Sequence, residues 1–278
     1  MHHAGAPHSG VLLILLVVIP AVLLCFYLLA AIRIRHTARW SAWRIASFTT
    51  GIVLIGVSML PPLANWAHHD LRGHMLQHLF LGMFGPLGLV FGCPGTLLLR
   101  SVPARTARCF MALLRLRPIR CLIHPITAAL LDIGGMYLLY LTPLFALSMV
   151  HPALFTLLHL HFVISGYLFT WSIAGPDPAP HRPGRKVRLT VLFLATAAHA
   201  ILGKVMYGYG YPHGTSASLI EIEAAAQWMY YGGDLAELLL IAAFFAAWFR
   251  HRSRLPEALA DRSAPESETW PSTAVSGE

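Results

Sequence analysis

Charge is scarce in this chain. Only 12% of its 278 residues are Asp, Glu, Lys or Arg, against about 25% in an ordinary soluble domain. That shortage excludes a conventional water-soluble fold. Acid is scarcer than base, with 12 Asp and Glu against 20 Lys and Arg and a formal net charge of +8. Excess base raises nucleic acid as a ligand, but no soluble basic domain exists to carry it, so no nucleic-acid partner is expected. Cysteine is sparse. Cys25, Cys93, Cys109 and Cys121 form no CxxC pair, which removes a thioredoxin-like motif and a thiolate metal clip. Matching halves of the kind that build inverted-repeat transporters are also missing. The first apolar run lacks a basic leader and a small-residue cleavage site, so it is expected as a retained helix.

What the chain has instead is long apolar runs. Seven of them lie at about 10–32, 46–64, 73–99, 122–147, 153–174, 188–207 and 224–249, each near the ~20 residues that span a bilayer as a helix. The third is expected to break at Gly85-Pro86 and again at Gly92-Cys93-Pro94. The fold class is therefore all-α: a polytopic transmembrane bundle of seven helices over residues 1–252, set in the lipid bilayer. Residues 253–278, rich in Pro, Ser, Glu and Ala, read as a disordered cytoplasmic tail. Every Lys and Arg except Arg72 and Lys204 falls in the loops after the first, third and fifth runs or after the last. Basic loops stay inside, so the N-terminus is outside and the C-terminus is in the cytoplasm. The four cysteines then sort to the inner side, where thiols remain reduced.

Histidine, methionine and acid sort the other way. His74 and His78 lie near the outer end of the third run, and their i,i+4 spacing puts both imidazoles on one helix face, as two ligands of one metal require. Met75 sits between them. His159 and His161 are two residues apart, about 200° round a helix, so only one of them faces a common point. His199, Asp132, Asp234 and Glu237 fall near the midplane. Met59, Met75, Met83, Met136, Met149, Met206 and Met229 occupy the middle or outer half. Thioether and imidazole together suit Cu(I), although imidazole and carboxylate also suit zinc. Any one methionine is ordinarily packing, and a lone histidine often only bonds across a bundle. The combination is what points to a metal. His68-His69-Asp70, on the first outer loop, is a candidate entry point, and His2, His3 and His8 form an N-terminal cluster.

The third run reads HMLQHLFLGMFGPLGLVFGCPGTLLLR, and downstream come HPITAALLDIGGMYLLYLTPLF, HPALFTLLHLHFVISGYLFTW, the loop GPDPAPHRP, RLTVLFLATAAHAILG and AAAQWMYYGGDLAELLL. In this order and spacing the chain resembles the cytochrome c oxidase assembly factor family of CtaG type, over roughly residues 65–245. The resemblance implies a non-enzymatic, multi-pass protein of a bacterial-type plasma (inner) membrane. Its work would be copper delivery to a heme–copper oxidase subunit, with an extracytoplasmic copper donor as a second partner. His74, His78, His159, His161 and His199 match histidine positions of the family, and the Asp234 region matches its last polar turn less cleanly. The family's Asp-Gln pair before Gly-Gly is absent here, where the chain reads EIEAAAQWMYYGGD.

Three functions follow. A metallochaperone would hold Cu(I) through His74, His78, His159, His161, His199 and Met75, with Asp132 or Asp234 orienting imidazole N–H groups. A b-type heme protein would use one histidine from each of two facing helices, for which His161 and His199 qualify by depth. A copper transporter would need a path through Asp132, His199, Asp234 and Glu237 to the inner face, where acids and histidines are few.

Overall fold

The computed structural model describes the backbone of residues 8–34 and 39–263 and the side chains of residues 18–34 and 39–249. The side chains of His2, His3 and His8 and the tail 264–278 lie outside the described residues. Among the described residues all regular structure is helical. Five helices are long and apolar enough to cross a membrane, or six if one bent pair counts as a single span. A shorter apolar helix, Val18–Arg33, accompanies them. The protein is thus an all-helical bundle of multi-pass character. Its surface confirms the solvent it is built for: Leu130, Phe193 and Ile220 are 68%, 71% and 79% exposed, while His74, Gln77, Asp132 and His199 are buried. A helix keeps its own backbone N–H and C=O groups satisfied in hydrocarbon, which leaves the outward face free to be apolar.

Helix α1 (His8–Arg33) packs on α2 (Ala42–Met59). Tyr27 pins the pair to the next span, its hydroxyl donating to the Gly92 carbonyl at 2.7 Å and accepting from Trp40 Nε1 at 3.0 Å. The second apolar run ends just before Pro61-Pro62. It stops at Leu60, whose ψ of 148° is extended, because a residue before proline is pushed out of the α region. Pro61 then starts α3 (Pro61–His69).

The third run holds the key local feature. Helix α4 (Leu71–His78), a π turn over Leu79–Phe84 and helix α5 (Gly85–Phe91) form one span, Leu71–Phe91. The expected break at Gly85-Pro86 is absent. Pro86 lacks an N–H and its ring would crowd the carbonyl four residues back in an α-helix. The π turn widens the helix there, with Gly85 N–H bonded to the Phe80 carbonyl. The freed Gly82 carbonyl lies against Gly166, where any Cβ would overlap it. The second expected break is real: Cys93 has φ 54°, the left-handed region, before α6 (Pro94–Ser101).

Short helices α7 (Ala104–Leu114) and α8 (Arg117–Leu122) bury no residue. The fourth expected span, 122–147, divides into α9 (Pro125–Leu141) and α10 (Leu144–Val150), bent by 80° at Thr142-Pro143. Proline again sets the break, with Thr142 extended ahead of it. Helices α11 (Pro152–Ala174), α12 (Arg185–Tyr209) and α13 (Leu219–Ser263) complete the bundle. The backbone of α13 runs past residue 253, where the tail was expected to begin.

Candidate functional site

Five spans converge on one buried polar region. On α4, His74, Gln77 and His78 are all buried. His74 Nε2 lies 3.2 Å from the Tyr140 hydroxyl of α9, and its ring meets Phe145 and His159 edge-on, with centroids 4.8 and 6.5 Å away. Its Nδ1 has no partner. One turn on, His78 sits between the rings of Tyr140 and Phe162, at 6.1 and 4.7 Å. Neither of its nitrogens has a hydrogen-bond partner. The π turn begins directly after it, and such bulges recur at functional sites.

Helix α11 presents His159, not His161, to this region. His159 Nε2 lies 2.9 Å from Gln77 Oε1 and its Nδ1 lies 2.7 Å from the Phe155 carbonyl; both oxygens are acceptors, so the neutral ring, with one N–H, donates to one of them. Gln77 in turn donates from Nε2 to the Ser58 carbonyl at 2.8 Å. His161 turns to α9 instead, its Nε2 3.0 Å from the Leu131 carbonyl and its ring against Gly135. The separation of the two histidines round the helix has this consequence.

His199 on α12 is completely buried. It packs against Gly233 of α13, where an added Cβ would overlap the imidazole. Glycine is required there for space, since the backbone of α13 comes this close. His199 Nδ1 is 3.8 Å from Glu237 Oε1, too far for a hydrogen bond, and both ring nitrogens and Glu237 Oε2 lack partners. His199 and His161 therefore face different neighbours. Asp132 accepts from Ser165 Oγ at 3.0 Å. Asp234 is only half-buried, while Glu237, one turn on, is buried. Met75, Met136, Met206 and Met229 are all buried in the surrounding core.

An open cavity of about 310 Å³ lies beside this region, lined by His68, His69, Asp70, Met149, Glu221 and Phe145 among others. Phe145 also packs on His74, so its ring separates cavity from cluster. Asp70 caps α4 by accepting the Arg72 N–H at 2.8 Å. The Arg72 side chain, hydrogen-bonded to it, holds the Asp70 carboxyl down at about 2. Glu221 Oε1 accepts the Leu71 N–H at 2.7 Å across 150 positions of chain.

Sequence reasoning missed Gln77, Tyr140, Ser165 and Phe145 as parts of this region. Gln77 carried a signal, since it lies one residue before His78 on α4. Tyr140, Ser165 and Phe145 carried none, because their contacts depend on how α9, α10 and α11 cross. As the side chains lie, no three His, Cys, Asp or Glu groups among the described residues are close enough to hold an ion together.

Comparison with known proteins gives this cluster a context. The chain is 30% identical over 244 residues to an uncharacterized protein of Mycobacterium bovis and to one of Mycobacterium tuberculosis, matching 81% of this chain and 37% of each relative. An uncharacterized protein of Mycobacterium leprae is 27% identical over 253 residues, covering 82% of this chain and 38% of that one. The chain thus spans little more than a third of the length of these curated relatives. No solved structure matches it. The model of the cytochrome c oxidase caa3 assembly factors matches residues 25–251, a stretch that includes every span bearing the cluster. On that match the chain belongs to the cytochrome c oxidase caa3 assembly factor family.

Proposed function

We propose that this assembly factor carries Cu(I) as cargo in the pocket bounded by His74, His78, His159 and His199, and passes it to a heme–copper oxidase subunit outside the cytoplasm. The observation that carries the reading is the set of unmade bonds. His78 and His199 have both ring nitrogens buried without a partner, and His74 has one. A buried polar atom left unsatisfied costs about 1–3 kcal/mol. Cu(I) would use such lone pairs, and the buried methionines around them are soft donors of the kind it prefers. Because no three donors stand together, loading requires a ring to rotate, with His78 the least restrained. Glu237, whose Oε1 lies 3.8 Å from His199 Nδ1, would accept the N–H of a ligated imidazole rather than ligate first.

The membrane arrangement belongs to the same reading. Seven spans with the N-terminus outside and the C-terminus in the cytoplasm of a bacterial-type plasma membrane put the cavity at His68, His69 and Asp70 on the outer side, opposite the basic loops. Copper from an extracytoplasmic donor would enter there and pass Phe145 to reach His74.

Metal analysis and a visible spectrum of the purified protein test this. Copper bound to the wild type, and lost in the His74→Ala/His78→Ala variant while that variant still reaches the membrane, is the expected result. Normal copper in the double variant would overturn the site. A Soret band would replace cargo by heme, and copper uptake into proteoliposomes would replace delivery by transport.

A further inference from the structure

The opposite end of the bundle holds a second cavity that the copper reading does not use. It has a volume of about 400 Å³ and is lined by Arg44, Arg182, Arg185 and Arg188, with Trp43 and Trp248 at its sides. It lies where α2, the Cys93 break, the end of α11, the start of α12 and α13 meet. Among the described residues, no acidic one lines it. The nearby Asp177 acts on Arg182 through its charge but forms no ion pair with any of the four arginines. Its carboxylate oxygens are committed to the Gly95 N–H, the Thr96 N–H and the Thr96 hydroxyl. Among the described residues the ion pairs are Arg72–Asp70 and His199–Glu237, so none of the four guanidinium groups is paired with a carboxylate.

The four arginines are held apart by the fold rather than left to fray. Arg188 donates from Nη1 to the Ile173 carbonyl at 2.8 Å and stacks over Phe244 at 5.2 Å. Its Nε–H is buried and unpartnered. Arg182 donates from Nη2 to the Asp177 carbonyl at 2.9 Å. Arg44 and Arg185 lie over the rings of Trp40 and Trp248, at 4.6 and 5.8 Å. Stacking fixes a guanidinium while leaving its edge donors free. Trp43, 74% exposed beside the cavity, has the amphipathic ring that marks the headgroup level of a membrane.

We propose that this pocket binds a phosphate anion, and that in the membrane the phosphate is the headgroup of an anionic phospholipid. Fork-shaped donors on a concave wall match phosphate oxygens, and basic pockets between spans on the side of the basic loops suit such headgroups. The pocket is distant from the histidine cluster, so it can fail while the copper reading stands.

The test titrates the purified full-length protein, in a neutral detergent, with dioleoylphosphatidylglycerol, dioleoylphosphatidylcholine or inorganic phosphate. Native mass spectrometry counts bound lipid and gives the relative affinity for each ligand. Phosphatidylglycerol should bind at least about tenfold more tightly than phosphatidylcholine, and Arg44→Gln/Arg185→Gln should weaken it by about tenfold or more. Arg44→Lys/Arg185→Lys, which keeps the charge, should recover part of that loss and shows that the fold is intact. Arg105→Gln/Arg108→Gln, on α7 outside the pocket, should stay within about twofold of the wild type. Equal loss in the α7 variant, or none in the pocket variant, overturns the site. Inorganic phosphate binding as tightly as phosphatidylglycerol overturns the lipid as the source.

Discussion

Two buried polar sites sit at opposite ends of this bundle, and they differ in how completely their atoms are partnered. At Asp177 the carboxylate accepts from two backbone N–H groups and a hydroxyl, and the Arg182 guanidinium closes over its carbonyl. That is a finished knot, tying the loop after α11 to the first turn of α6. At His78 and His199 four ring nitrogens have no partner. Structural networks end in satisfied atoms, because an orphaned one costs free energy. A chain that leaves imidazoles unbonded in a low-dielectric interior can gain something from their lone pairs. In this account that gain is a transient metal ligand.

Mutation can break the comparison at either end. The largest effect is expected from Asp177→Ala, which orphans the Gly95 and Thr96 N–H groups together. It should lower unfolding stability by about 3 kcal/mol or more, read as thermal unfolding in detergent, with copper content per folded molecule unchanged. Next comes Gly233→Ala. Its Cβ would overlap the His199 imidazole, and overpacking of this kind costs about 1–3 kcal/mol. Here the loss of stability should come with a loss of bound copper, because His199 must move.

Asp70→Ala removes the cap of α4 and should cost about 1 kcal/mol. The pH dependence of this group has a definite sign. Its carboxyl is held down at about 2 by the hydrogen-bonded Arg72, below the unfolded value of about 3.9. Its contribution is therefore full above about pH 4 and is lost as pH falls toward 2. A wild type that loses this increment on raising the pH from 5 to 8 would contradict the pairing. The smallest stability change belongs to the unfinished site. His78→Leu removes two unpartnered nitrogens and keeps an apolar side chain, so stability should shift by less than about 1 kcal/mol or rise.

Much of this was legible from residue types. The apolar runs and sparse charge declared membrane helices, and the i,i+4 spacing of His74 and His78 placed both on one buried face. The two-residue step from His159 to His161 required that they diverge, and they do. Proline was only half legible. Pro61 and Pro143 ended helices in the way pre-proline sterics demand, yet Pro86 did not, because a π turn that no periodicity reveals absorbed it. Glu237 was read only as part of a path with Asp132, His199 and Asp234; that it comes to 3.8 Å from His199 depends on how α12 and α13 cross. Tyr140 and Phe145 were invisible for the same reason: their places by His74 exist only after the chain bends by 80° between α9 and α10.

The central claim is that the unpartnered nitrogen atoms of His78 are open for Cu(I). It is tested most directly by thermal unfolding of wild type and His78→Leu side by side, with and without Cu(I) under reducing conditions. Cu(I) should raise the midpoint of the wild type and leave that of His78→Leu unmoved, although the two proteins unfold at similar temperatures without metal. An equal rise in both, or no rise in the wild type, would contradict it.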